Sequence, residues 1–139
     1  VRYHRFKLSF FDLLMLIYRF CKPAIIEIAA ASDKERHVQN IIHYIEKHYR
    51  DEIRLEHIET HLNVSKHHLT KIFREATGLT IFEFLYQTRI NQAKLLFHSN
   101  SRNTVTNVCF EVGFKNPAHF SQQFKKQVGM SPDRYRKTL

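Results

Sequence analysis

An internal repeat constrains this chain more than any other feature. Leu55, Ile58, Leu62 and Val64 recur fifty residues later as Val105, Val108, Val112 and Phe114. Leu69, Phe73, Gly78, Leu79 and Thr80 recur fifty-one residues later as Phe120, Phe124, Gly129, Met130 and Ser131, so the second copy carries one extra residue after its turn. Apolar residues three and four apart mark one face of a helix, and the same marks made twice call for two tandem copies of one module.

The second copy is the more explicit. Val105, Val108 and Val112 line one face of a short helix, and Gly113 supplies the positive φ that a sharp turn needs. Phe114 points back into the core. Asn116 followed by Pro117 reads as an N-cap with proline at the first helical position, and Phe120, Phe124 and Val128 continue the apolar stripe. Gly129 ends that helix, and Ser131-Pro132 opens another on which Tyr135 packs inward. In the first copy Asn63 stands where Gly113 stands, and asparagine is the next-best residue for a left-handed position.

Between the copies, Thr80 caps a helix that runs to Phe97, with Phe82, Phe84, Leu85, Ile90, Ala93, Leu96 and Phe97 as buried positions. Arg89 and Lys94 are expected outside, with an exposed middle between Gln87 and Thr88. The polar run Ser99-Asn100-Ser101-Arg102-Asn103-Thr104 stops this helix and caps the second copy. Such a helix spans roughly 27 Å, close to the ~34 Å between successive major grooves on one face of DNA. Upstream, Ser32-Asp33-Lys34-Glu35 reads as a capping box, followed by Val38, Ile41, Ile42, Ile45 and Tyr49 on a scaffold helix.

The stretch GFKNPAHFSQQFKKQVGMSPDRYRK resembles the segment that marks the AraC-type transcription regulators, whose DNA-binding domain has two helix-turn-helix units joined by a long helix. The resemblance covers residues 37 to 138 and includes both units, the linker and the Gly-x-Ser-Pro-x-x-Tyr-Arg ending. Glu59 departs from it, standing where the family has a small residue between the two helices of the first unit. The resemblance implies an all-α fold of two tandem helix-turn-helix units, residues 32–139, and a sequence-specific DNA-binding regulator.

In each unit the second helix is the one to enter the major groove, where an α-helix fits and base edges are distinct. Lys66, His67, Thr70, Lys71, Ala118, Ser121 and Gln122 are the expected base-reading residues. Lys71 suits guanine O6 and N7, Gln122 suits adenine, and Ala118 suits a thymine methyl. Ser65, Arg74, Asn116, Lys125, Arg134 and Arg136 are the expected phosphate contacts. From Lys66 to Arg74 the sequence contains no acid, unlike most solvated helix faces.

Charge agrees with a polyanionic partner: 22 Lys+Arg stand against 13 Asp+Glu, a net charge of +9 in 139 residues. Cys21 and Cys109 are too few for a disulfide framework, and Cys109 reads as a reduced packing thiol, which suits a cytoplasm. His57 and His61 have the spacing of a metal pair but lack a third ligand, so no metal and no cofactor is expected. Nor does any Ser/His/Asp set or carboxylate pair suggest an enzyme.

The chain begins with Val rather than Met and is expected to be a piece of a longer protein. Phe10, Leu13, Leu14, Ile17, Phe20 and Cys21 form an amphipathic pattern that Pro23 ends, too short to span a membrane. The resemblance implies that residues 1–31 are the tail of a sensing or dimerisation domain, with Leu13, Ile17 and Phe20 pairing two subunits through residues 10–21. Packing of that helix on its own DNA-binding domain is the alternative. RNA polymerase is a further implied partner, and a small effector acts only through the absent domain. The competing function is an interaction module that contacts the transcription machinery without reading bases. Effector, operator, and the choice between activation and repression are not encoded in these residues.

Overall fold

The computed structural model describes residues 13–19, 33–100 and 102–139. Those residues contain eight helices: α1 over 13–19, α2 (Asp33–His48), α3 (Leu55–Leu62), α4 (Lys66–Thr77), α5 (Ile81–Ser99), α6 (Val105–Glu111), α7 (Pro117–Val128) and α8 (Pro132–Lys137). No strand occurs among the described residues. The described residues up to 36 fall in one unit and those from 37 onward in another.

In α1, Leu13, Leu14, Leu16 and Ile17 are all exposed, between 41% and 51%. Phe10, Phe20, Cys21, Pro23 and the expected Ser32 cap lie outside the described residues. None of the described helices is long and apolar enough to cross a membrane.

Within residues 37–139 the two copies of the module form as the repeat requires. In the first, α3 and α4 bury Ile58, Leu69, Ile72 and Phe73, and Phe73 meets Phe84 of α5 edge-on at 5.6 Å. In the second, Val108, Cys109, Val112, Phe114, Phe120, Phe124 and Tyr135 close around Ile90, Ala93 and Phe97 of α5. The two turns share a backbone: Asn63 has φ 54° and Gly113 has φ 102°, Asn63 being the one positive-φ residue other than glycine among those described. Burial pushes the Cys109 thiol above its ordinary pKa, which keeps it protonated and inert.

The caps are also as the sequence states. Thr80 Oγ1 accepts from the Glu83 amide at 3.1 Å while Glu83 Oε2 accepts from the Thr80 amide at 3.0 Å, a reciprocal box that starts α5. Asn116 Oδ1 accepts from Ala118 and His119 amides, and Ser131 Oγ from the Arg134 amide. Gly78 and Gly129 end α4 and α7 in the left-handed conformation.

The middle of α5 differs from the expectation. Thr88 and Arg89 are buried, while Phe82, Leu96 and Lys94 are only half-buried. The apolar pattern taken alone places Arg89 outside, but Leu85, Arg89 and Ala93 stand four residues apart on one stripe, and the guanidinium is drawn inward to main-chain carbonyls. Arg89 Nε donates to Tyr49 O at 2.7 Å and Nη2 to Asp51 O at 2.9 Å. A helix that serves both units needs buried positions on more than one side, and α5 has them from Ile81 to Phe97.

Candidate nucleic-acid interface

The second helix of each unit, α4 and α7, turns one face to the core and leaves the other to solvent. On α4, Leu69, Ile72 and Phe73 are buried, whereas His67, Lys71 and Arg74 are exposed and Lys66 and Thr70 half-buried. On α7, Phe120 and Phe124 are buried, whereas Ala118, Gln122 and Lys125 are exposed and Ser121 is half-buried. The fold therefore gathers Lys66, His67, Thr70 and Lys71 on one surface and Ala118, Ser121 and Gln122 on another.

Electrostatics sets these two helices apart. A helix N-terminus carries partial positive charge and usually attracts an acid to its first turn. Acids fill that role in α2, α3, α5 and α8, whereas α4, α6 and α7 have none, and of these three only α4 and α7 carry basic residues. Ser65 and Asn116 cap these positive ends with neutral oxygens. Both ends are thus left able to take an anion from outside the chain.

Not every basic group is free of internal partners. Lys66 Nζ lies 3.1 Å from Glu56 Oε1, and a carboxyl-to-own-amide bond together with Lys66 holds Glu56 below the usual carboxylate range. Thr70 Oγ1 donates to the Lys66 carbonyl at 2.7 Å. Arg136 donates to Asn103 O at 3.2 Å and pairs with Asp133 at 3.4 Å, so it ties α8 to the loop after α5. Arg134, by contrast, is exposed.

Three basic groups that spacing does not single out are placed by the fold. Glu52 lies 3.2 Å from both Arg54 and Lys115, which belong to different units, and Lys115 first and Arg54 second depress its pKa. Arg54 also lines a shallow groove with Leu55, Lys66, His67 and Phe82. Arg89 is the third. Contacts between residues some sixty apart leave no mark in local spacing, although the phase of Arg89 within its apolar stripe is a legible clue. His57 and His61 are exposed, and the His61 ring lies against Tyr44 at 5.1 Å. Glu59 is half-buried.

A family described as a helix-turn-helix domain, of the AraC type, matches residues 58–138. The chain belongs to the AraC-type helix-turn-helix transcription regulators. An uncharacterised HTH-type transcriptional regulator in the cgkA 5′ region of Pseudoalteromonas carrageenovora is 36% identical over 102 residues, which are 73% of this chain and 60% of that relative. The chain thus spans less than two thirds of that relative's length. Among solved structures, the C-terminal domain of AraT, a response regulator from Geobacillus stearothermophilus, is 29% identical with a TM-score of 0.71, covering 78% of this chain and 89% of that one. The DNA-binding domain of AdpA, a global transcriptional factor solved in complex with a target DNA, shares the fold at a TM-score of 0.67 and 24% identity, covering 73% and 90%.

Proposed function

We propose that this chain binds one promoter element by laying α4 and α7 into successive major grooves on the same face of double-stranded DNA, and regulates transcription there. The observation that carries this reading is that α4 and α7 both lack an acid in the first turn and carry basic residues, and are joined by a 19-residue α5 about 28 Å long. That reach is near the pitch of B-DNA.

Lys71, His67 and Gln122, all exposed, are the principal base readers, with Ala118 against a thymine methyl and Thr70 and Ser121 closer to the helix roots. Lys66 joins them once Glu56 yields it to the more strongly charged duplex. Ser65, Arg74, Asn116, Lys125 and Arg134 hold phosphates and set register. Arg136 acts as a phosphate ligand only by giving up Asp133.

Residues 32–139 are the DNA-binding domain in this reading, and residues 1–31 the tail of a sensing or dimerisation domain that carries the effector site. The exposure of Leu13 and Ile17 supports a homodimer through residues 10–21. Sedimentation of the chain beside a Leu13→Asp, Ile17→Asp variant tests it: dimer against monomer is expected, and a monomeric native chain contradicts it. RNA polymerase is the further partner, and the cytoplasm the compartment. Selection of bound sites from random duplex DNA by this chain tests the central reading. A motif of two short boxes one helical turn apart is expected; recovery of no motif would return the chain to an interaction module.

A further inference from the structure

We propose that Arg89 is a specificity-determining positioning residue: it pins the segment between α2 and α3 to the middle of α5, fixes α7 relative to α4, and so sets which spacing between two DNA boxes the chain accepts. The DNA half of this rests on the reading above.

Arg89 is 7% exposed, and the fork of its guanidinium reaches two main-chain carbonyls, Tyr49 O and Asp51 O, forty and thirty-eight residues away. Its charged carbon also lies 5.5 Å from the ring centre of Phe114, in the turn of the second unit. Burial pulls its pKa down, yet a guanidinium stays charged. A buried cation is costly, and an apolar side chain of like volume would fill the space without that cost. What arginine adds is direction, because two bonds from one rigid fork hold a segment at two points.

The pinned segment links the units. Its α2 end belongs with the first unit, through Tyr44 against His61 and His37 against His68. The second unit seats on the same segment through Gly113 and Lys115, with Phe114 between them against Arg89. A Cβ on Gly113 would lie 2.6 Å from Tyr49 O and 2.9 Å from Arg50 O, Phe114 lies under Arg89, and Lys115 pairs with Glu52 at 3.2 Å. The linker helix is therefore not the sole connection described between the units.

The geometry makes small errors matter. Over a lever of about 28 Å, a tilt of about 7° moves the far helix by ~3.4 Å, one base-pair step. A linker helix gripped only along its length leaves tilts of that size open; the clamp removes them.

Two readouts test the proposal on the full chain. In the first, spin labels at Lys71→Cys and Gln122→Cys, in a Cys21→Ser background with buried Cys109 retained, report the distance between recognition helices without DNA. One narrow distance is expected for the native chain and a broadened distribution for Arg89→Lys, with a smaller broadening for Glu52→Gln, which weakens the exposed pair with Lys115. An unchanged narrow distribution in both variants overturns the pin. In the second, duplexes carrying the selected boxes at their selected spacing, or one base pair longer or shorter, are compared. The native chain should lose about tenfold in affinity on the altered spacings and Arg89→Lys less than about twofold, while each box alone is bound equally by both. A folded Arg89→Lys that keeps the native spacing penalty overturns the specificity claim. If the native chain selects no DNA, the reading above fails, and the label distances still decide the pin.

Discussion

Asn63 and Gly113 occupy equivalent turns and both adopt positive φ, but only Gly113 has carbonyls packed where a side chain would begin. Asn63 is exposed, and an asparagine tolerates the left-handed backbone. At Gly113 a Cβ would meet Tyr49 O at 2.6 Å, which makes the glycine a matter of space as well as of φ. Asn63→Gly should stay within about 1 kcal/mol of the native stability, because relief of the turn offsets the greater freedom of the unfolded chain. Gly113→Ala should cost more than about 2 kcal/mol, combining strain with displacement of Tyr49. Urea unfolding of the two variants checks this, and equal costs would remove the packing argument.

This pair also marks what the sequence can and cannot say. Turn chemistry and caps are local, so Asn63, Gly113, Thr80, Asn116 and Ser131 announce their roles within a few residues. The apolar periods of α3, α4, α6 and α7 likewise fix which face is buried, and hence which residues face outward. Long-range contacts are different. Arg89, Glu52 and the close approach of Gly113 to Tyr49 depend on how two copies of a module settle against each other, and a repeat specifies each copy without specifying that contact. The middle of α5 is buried rather than exposed for this reason: local spacing shows a helix that joins two units, and only their packing shows that it is gripped between them.

Alkaline stability follows from two buried acids. Burial raises the pKa of the Tyr135 phenol and of the Cys109 thiol. A group whose folded pKa lies above its unfolded value leaves stability intact below the unfolded value and erodes it as pH rises toward the folded one. The erosion should therefore begin near pH ~8.5 for the thiol and ~10 for the phenol. Urea midpoints should fall from pH 7.5 to pH 10.5, and the fall should shrink in Cys109→Ala. Tyr135→Phe should shrink it too while lowering neutral stability, because His98 Nε2 loses its 2.7 Å partner. A flat profile for the native chain would contradict the burial of both groups.

In the proposed reading, Lys71 reads a base and Arg74 holds a phosphate. Both are exposed on α4, one at the centre of its outer face and one near its C-terminal end. Lys71→Ala should cost about 1–3 kcal/mol on the selected site and relax preference at one position. Arg74→Ala should weaken all sequences alike and reduce the salt slope by about one. Titrations of both variants against selected and scrambled duplexes at several salt concentrations distinguish them, and equal losses from Lys71→Ala on both duplexes would remove it from the base readers.

Methylation interference on the selected duplex tests the central claim, that α4 and α7 enter two successive major grooves of one DNA face. Methyl groups on guanine N7 project into the major groove and block a helix wherever one lies. Two clusters of interfering guanines are predicted, about ten base pairs apart centre to centre, with Lys71→Ala altering only one and Gln122→Ala only the other. A single cluster, or two clusters about five base pairs apart and thus on opposite faces of the duplex, would contradict the account.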